Sequence, residues 1–135
     1  MSKNSNLKGK VECRLQKSPK DFFYGILMKD ELVDITICNP PFHASAQEAQ
    51  KGTTRKLKNL NQKKGVLNFG GKHNELWYEG GEKRFVGTMI RESKKYAENS
   101  FWFTSLVSKQ SNLKTFYNIL EEVGAFRTET ISMGQ

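Results

Sequence analysis

Val33-Asp34-Ile35-Thr36-Ile37-Cys38-Asn39-Pro40-Pro41-Phe42 is the stretch from which the rest of the chain can be read. Val33, Ile35 and Ile37 alternate with Asp34, Thr36 and Cys38, and the β-branched content suits a strand. Pro40 and Pro41 end it, since neither has an N–H for a sheet ladder. The result is a stiff corner at the carboxyl end of a strand. In open α/β sheets, ligands bind in the crevice outside those strand ends.

Two readings fit this corner. One is a plain strand-to-loop turn capped by prolines. The other is a cradle for a planar exocyclic amine such as the N6 amine of adenine. That nitrogen is a poor nucleophile because its lone pair is delocalised into the ring. Two acceptors aimed at its N–H bonds favour a pyramidal nitrogen and free the lone pair. The Asn39 amide oxygen and the Pro40 carbonyl are the candidate acceptors. Phe42 is a candidate stacking ring, and such stacking contributes about 1–3 kcal/mol per base. A base inside a helix would have to be unstacked or flipped out to reach them. His43 either orients the corner, faces solvent or relays a proton.

Working outward, Val11 to Gln16 alternates apolar and polar residues and predicts a strand. Phe22, Phe23, Ile26 and Leu27 predict a short amphipathic helix ending near Lys29. After the corner, residues 43–50 are compatible with helix. Phe85, Val86, Met89 and Ile90 predict a helix from Glu82 to Tyr96, with Lys83, Arg84, Arg91, Glu92, Lys94 and Lys95 on its polar face. Phe101 to Ser108 predicts a strand in which Trp102 belongs to the core. Ser111 or Asn112 is a candidate cap for a further helix. Leu113, Phe116, Tyr117, Leu120 and Val123 form its apolar face and Gly124 its stop. Ala125 to Met133 predicts a last strand. This alternation of strands and helices predicts an α/β fold, a mostly parallel sheet with crossover helices.

The chain has 135 residues and a net charge of +8, with a pI near 9.5. That length suffices for one small domain, and that charge suits a polyanionic partner as well as simple solubility. No apolar run approaches the ~20 residues of a membrane span, and residues 1–10 read as a loose polar leader, not a secretory signal. Between Ala49 and Asn74 there is no acidic residue, while Lys51, Arg55, Lys56, Lys58, Lys63, Lys64 and Lys72 all fall there. This interval reads either as a basic loop that grips phosphates or as a solvated linker. Cys13, Cys38, His43 and His73 lack metal-ligand spacing, so no metal is expected, and both cysteines are expected as buried, reduced thiols in a cytosolic protein.

Several strings in order carry a resemblance. They are Cys13-Arg14-Leu15-Gln16-Lys17, Thr36-Ile37-Cys38-Asn39-Pro40-Pro41-Phe42-His43, Arg55-Lys56, Leu67-Asn68-Phe69-Gly70-Gly71 and Glu75-Leu76-Trp77. Glu79-Gly80-Gly81-Glu82, Trp102-Phe103-Thr104, Leu106-Val107-Ser108 and Met133-Gly134-Gln135 complete them. Together they resemble the large-subunit ribosomal RNA adenine-N6 methyltransferase F family, which acts on 23S rRNA. The resemblance implies a Rossmann-like class I methyltransferase fold, with S-adenosyl-L-methionine as methyl donor. It implies that Asn39, Pro40 and Phe42 hold the target adenine. Gln16, Lys17 and Ser18, with Asn39, would lie at the cofactor, and Lys51, Arg55, Lys56, Lys58, Lys63 and Lys64 would engage RNA. The expected partner is 23S rRNA or a ribosome-assembly intermediate, met in the cytoplasm by a monomer. A non-catalytic RNA-binding relative and a protein glutamine-amide methyltransferase are the competing readings.

Such families carry a glycine-rich cofactor loop and an acidic ribose-binding residue upstream of the strand at Val11, and a further strand after the position of Gln135. Residues 11–135 therefore resemble the back two-thirds of the domain, with the front cofactor-binding strands missing. The 135-residue chain alone is expected to bind S-adenosyl-L-methionine poorly and to have little activity; ordinary cofactor affinity in titration calorimetry would refute this.

Overall fold

Two strands lie side by side and run the same way in the computed structural model, which describes residues 9–41, 43–44 and 77–134. They are β1 (Val33–Cys38) and β2 (Ser100–Ser105). Val33 stands opposite Ser100, Ile35 opposite Trp102, Thr36 opposite Phe103, Ile37 opposite Thr104 and Cys38 opposite Ser105. Parallel neighbours need a long crossover. Here it carries α1 (Gly81–Ser93), prolonged by a 3-10 turn over Lys94–Tyr96. After β2, a 3-10 turn over Gln110–Asn112 leads into α2 (Leu113–Val123). The order β1, α1, β2, α2 and the parallel pairing match the sequence expectation for this part of the chain.

The core forms where the two helices meet one face of the strand pair. Val86, Met89 and Ile90 line one stripe of α1 and are buried with Phe116 and Ile119 of α2 and Phe23. Phe23 is the hub, with ring centroids 5.2 Å from Phe103 and 5.7 Å from Tyr96. Cys38 and Phe103 bring the sheet onto this cluster. The apolar stripe of α2 is centred on Phe116 and Ile119, while Tyr117, expected inside, is 43% exposed. Asn112 does not cap α2 with its side chain.

The other face of the strand pair is apolar too. Ile35 and Ile37 are 49% and 80% exposed, and Trp102, expected in the core, is 39% exposed beneath the Arg127 guanidinium at 5.5 Å. Parallel sheets are usually covered on both faces. Among the described residues only the Cys38–Phe103 face is covered.

Three expected elements are absent among the described residues. Residues 11–16 run without a ladder partner, and Val11 and Leu15 face solvent. Alternation specifies an extended chain, but a strand also needs a neighbour. Residues 22–29 make one turn, with Leu27 N–H donating to the Phe23 carbonyl at 2.8 Å, and then stop. Gly25 has φ 79°, a left-handed conformation that a helix cannot pass through. Residues 125–133 are extended and exposed, tied by a Tyr117–Thr130 hydroxyl contact and not by a ladder. Residues 45–50 and the leader up to residue 8 lie outside the described residues.

Side chains replace the missing ladders. The Glu92 carboxylate of α1 accepts N–H bonds from Phe22 at 2.8 Å and from Phe23 and Tyr24 at 2.9 Å each. The Asn99 amide donates to the carbonyls of Met28, Lys29 and Glu31 at 3.3, 2.9 and 2.8 Å. Its own carbonyl accepts from Val33 N–H at 2.9 Å, which sets β1 against β2 at their start. Phe23→Ala removes the ring that joins sheet and helices, and is expected to lower stability by about 3–5 kcal/mol; urea unfolding followed by circular dichroism measures this.

Candidate functional site

The carboxyl ends of β1 and β2 meet at the corner. The Leu106 N–H donates to the Cys38 carbonyl at 2.9 Å, continuing the ladder one step past the strands. Asn39 follows and is exposed, whereas Pro40 is fully buried and Pro41 is buried. The prolines anchor the bend and leave the amide at the surface. Among the described residues nothing donates to the carbonyls of Asn39 or Pro40, and the Asn39 amide makes no hydrogen bond. The Asn39 amide oxygen is thus open to an incoming N–H, while the Pro40 carbonyl, without a donor among the described residues, belongs to a buried residue of the bend. Phe42, the expected stacking ring, lies outside the described residues.

Beyond it, His43 forms a parallel bridge with Trp77, and the Tyr78 N–H donates to the His43 carbonyl at 3.0 Å. Residues 45–76 therefore leave from the corner and return to it. This interval contains Lys51, Arg55, Lys56, Lys58, Lys63 and Lys64, none of which lies among the described residues. The Gly81 N–H closes a turn onto the Tyr78 carbonyl at 2.7 Å. Gly81 itself has φ 64°, and a Cβ there would stand 3.4 Å from the Ala44 Cβ. That is ordinary contact distance, so it is the left-handed backbone that calls for glycine here.

Glu82, in the first turn of α1, is 2% exposed. Its carboxylate accepts from the Ser108 N–H at 2.5 Å, the Asn112 Nδ2 at 2.7 Å and, more weakly, the Lys109 N–H at 3.4 Å. Burial works against the ionised form, but these donors outweigh it and hold the carboxyl below its ordinary value of 4.5. The carboxylate therefore contributes stability at neutral pH that is lost as pH falls below that range. Burial pushes the Cys38 thiol up, with a smaller opposing effect of a Ser105 hydrogen bond. Cys38 is half-buried, but Cys13, expected buried, is exposed, and among the described residues its segment pairs with no strand; both are free thiols. No group of three or more His, Cys, Asp or Glu among the described residues could hold a metal, and no helix there is long and apolar enough to cross a membrane.

The Gln16-Lys17-Ser18 turn is organised by Gln16. Its Nε2 donates to the Tyr24 carbonyl at 2.8 Å and its Oε1 accepts from the Ser18 N–H at 2.9 Å. The amide is thus committed to the main chain. Lys17 is exposed and Ser18 half-buried, and among the described residues no hydrogen bond joins this turn to Asn39. Sequence reading missed Arg14 as the anchor of this region. Its guanidinium grips Glu31 at 2.5 and 2.8 Å, Glu12 at 2.8 and 3.0 Å, and the Ile26 carbonyl at 2.7 Å.

A family model described as RNA methyltransferase matches residues 1–135. The chain belongs to that family. Ribosomal RNA large subunit methyltransferase F of Cytophaga hutchinsonii is 56% identical over 138 residues, covering 100% of this chain and 43% of that protein. The protein of the same name from Shewanella loihica is 50% identical over 146 residues, covering 100% of this chain and 37% of its own length. The chain thus spans less than half the length of these relatives. Among solved structures, the hMettl16 catalytic domain in complex with MAT2A 3′UTR hairpin 1 superposes with a TM-score of 0.53 at 27% identity, covering 73% of this chain and 34% of that one. The fold of this family member is accordingly a partial Rossmann-like α/β fold, and the parallel pair with its two helices is the part of it described above.

The hydrogen bond from Arg14 first, then the Met28 N–H and last the Arg14 charge hold the Glu31 carboxyl down to about 2, against a smaller opposing effect of burial. A depressed carboxyl stabilises the fold above its ordinary value of 4.5, and that contribution is lost as pH falls through about 2. Arg14→Met is expected to raise Glu31 towards the ordinary carboxylate range, with the Met28 N–H still holding it below, read as the midpoint of its side-chain carboxyl carbon shift in an NMR titration.

Proposed function

We propose that this chain carries the substrate-side half of an S-adenosyl-L-methionine-dependent methyltransferase acting on the N6 amine of one adenosine in 23S rRNA. The observation that carries the proposal is the exposed Asn39 amide on buried prolines at the carboxyl ends of a parallel pair. The names of the relatives supply the ribosomal RNA, and the hMettl16 structure supplies a neighbour that holds an RNA hairpin.

Bound S-adenosyl-L-methionine supplies an electrophilic methyl group. The chain's own residues do the rest. The Asn39 Oδ1 and the Pro40 carbonyl accept the two N–H bonds of the extruded adenine, and Phe42 stacks on the base. The lone pair of the amine then points away from the ring plane and towards the methyl donor. No strong base is required, because the amine becomes acidic once it carries the methyl and a positive charge. Catalysis rests on orientation and on fixed acceptors, which need no reorganisation as charge develops. Gln16, Lys17 and Ser18 form one side of the cofactor site.

Lys51, Arg55, Lys56, Lys58, Lys63 and Lys64 neutralise phosphates of the RNA. Their interval starts and ends at the corner, at the bridge between His43 and Trp77, so phosphate contacts there bring a nucleotide to Asn39. Binding is then salt-dependent, by a slope of about −0.7 per neutralised phosphate on a single strand. An enzyme with this substrate works in the cytoplasm, as a monomer, on 23S rRNA or a ribosome-assembly intermediate.

In the full-length protein, Asn39→Ala is expected to abolish methyl transfer to 23S rRNA and to lower cofactor affinity by far less. Mass spectrometry of rRNA nucleosides and titration calorimetry read the two effects. Unmodified wild-type rRNA would leave a non-catalytic RNA-binding module as the better reading.

A further inference from the structure

We propose that Glu82 is a positioning residue for the corner, holding Cys38 and His43, the described residues on either side of it, in register through a closed ring of hydrogen bonds. The proposal deepens the methyl-transfer reading and rests on it. Pro40 and Pro41 have no N–H, so the middle of the bend offers no main-chain donor with which to brace itself. Its shape depends on what grips either end.

At one end the Cys38 carbonyl accepts from the Leu106 N–H at 2.9 Å, and at the other the His43 carbonyl accepts from the Tyr78 N–H at 3.0 Å. The Tyr78 carbonyl in turn accepts from the Gly81 N–H at 2.7 Å. Glu82 is the next residue, and its carboxylate accepts from the Ser108 N–H at 2.5 Å. Ser108 lies two residues beyond Leu106, so the ring closes. It runs from Cys38 to Leu106, Ser108, Glu82, Gly81, Tyr78 and His43, and back through the corner. Every other hydrogen bond in it is between main-chain atoms. Glu82 supplies the one side-chain link, and the Asn112 amide at 2.7 Å fixes its second oxygen.

The ring explains why a carboxylate in the first turn of α1 is buried at 2% exposure beside a corner it does not touch. A neutral amide there leaves one donor facing another. In Glu82→Gln, the oxygen still accepts from Ser108, but the new NH2 confronts the Lys109 N–H and, in the present orientation of its amide, the Asn112 NH2. Changing Asn112 to Asp as well reverses that pair, so the amide of residue 82 donates where the carboxylate accepted.

The test uses the full-length protein. Glu82→Gln is expected to lower kcat for rRNA methylation by about 10²-fold, as for a reacting atom misplaced by about 1 Å. KM for RNA and affinity for S-adenosyl-L-methionine stay within about twofold, the signature of an interaction realised in the transition state. Amide hydrogen exchange quickens at Tyr78 and Leu106, the distant links, as well as at Ser108. Adding Asn112→Asp restores at least about tenfold of the lost kcat and restores the protection. Unchanged kcat in folded Glu82→Gln overturns the proposal. So does quickened exchange confined to Ser108 and Lys109, or a double variant no better than the single. If the single variant does not fold, the double variant decides by its kcat and exchange. Wild-type protein that methylates no RNA overturns the methyl-transfer reading instead, and the exchange pattern then judges the ring by itself.

Discussion

Parallel pairing of β1 with β2 is the constraint on which the site depends. Two strands that run the same way end at the same edge. Cys38 and Ser105 are partners in register, so the chain leaves both strands side by side. The first turn of α1 and the start of α2 come to that edge as well, because each helix must run back across the sheet to bury its apolar stripe. An antiparallel pair would have put the end of β2 beside Val33, far from Asn39. The corner owes its surroundings to topology, and its stiffness to two prolines.

A pair of strands leaves much of the main chain without a ladder. Buried N–H groups then need other acceptors, since an unmet donor costs about 1–3 kcal/mol. This chain uses single side chains that accept or donate several times. Glu92 takes the amides of Phe22, Phe23 and Tyr24, Asn99 serves three carbonyls ahead of β1, and Glu82 takes donors from Ser108, Lys109 and Asn112. Arg14 does the same for the segment before the first strand. Each of these residues replaces a missing neighbour strand by a point contact. The arrangement holds one face of the sheet against the helices and leaves Ile35, Ile37 and Trp102 towards solvent.

The legible parts of the fold were those with a local period. Val33 to Cys38 announced a strand, and Val86, Met89 and Ile90 announced α1, because a repeating apolar side needs only its own neighbours to be recognised. Residues 11–16 have the alternation of a strand and residues 125–133 read as one, but neither has a ladder among the described residues. A period of two describes an extended chain and says nothing about whether a partner lies alongside. Residues 22–29 have helical spacing, yet Gly25 and the demand of Glu92 for three amides turn the chain after one loop. At the candidate site, Asn39 and the prolines could be singled out from their chemistry, whereas the buried state of Glu82 had no local signal. It stood as one acidic residue after two glycines.

By itself the amino-acid order determined a proline-ended strand, two amphipathic helices, an alternating α/β plan and a basic interval between Ala49 and Asn74. Those are properties of residues a few positions apart, where periodicity and backbone stiffness act without distant help. Only the tertiary structure decided that Asn39 stays at the surface while Pro40 is buried, that the basic interval is tethered at the corner, and that Glu82 meets Ser108 and Asn112. Those contacts join residues 26 to 34 positions apart, and their existence depends on how helices pack on the sheet. Burial and hydrogen bonding at such distances are set by the packing of whole elements, which no short window of sequence contains.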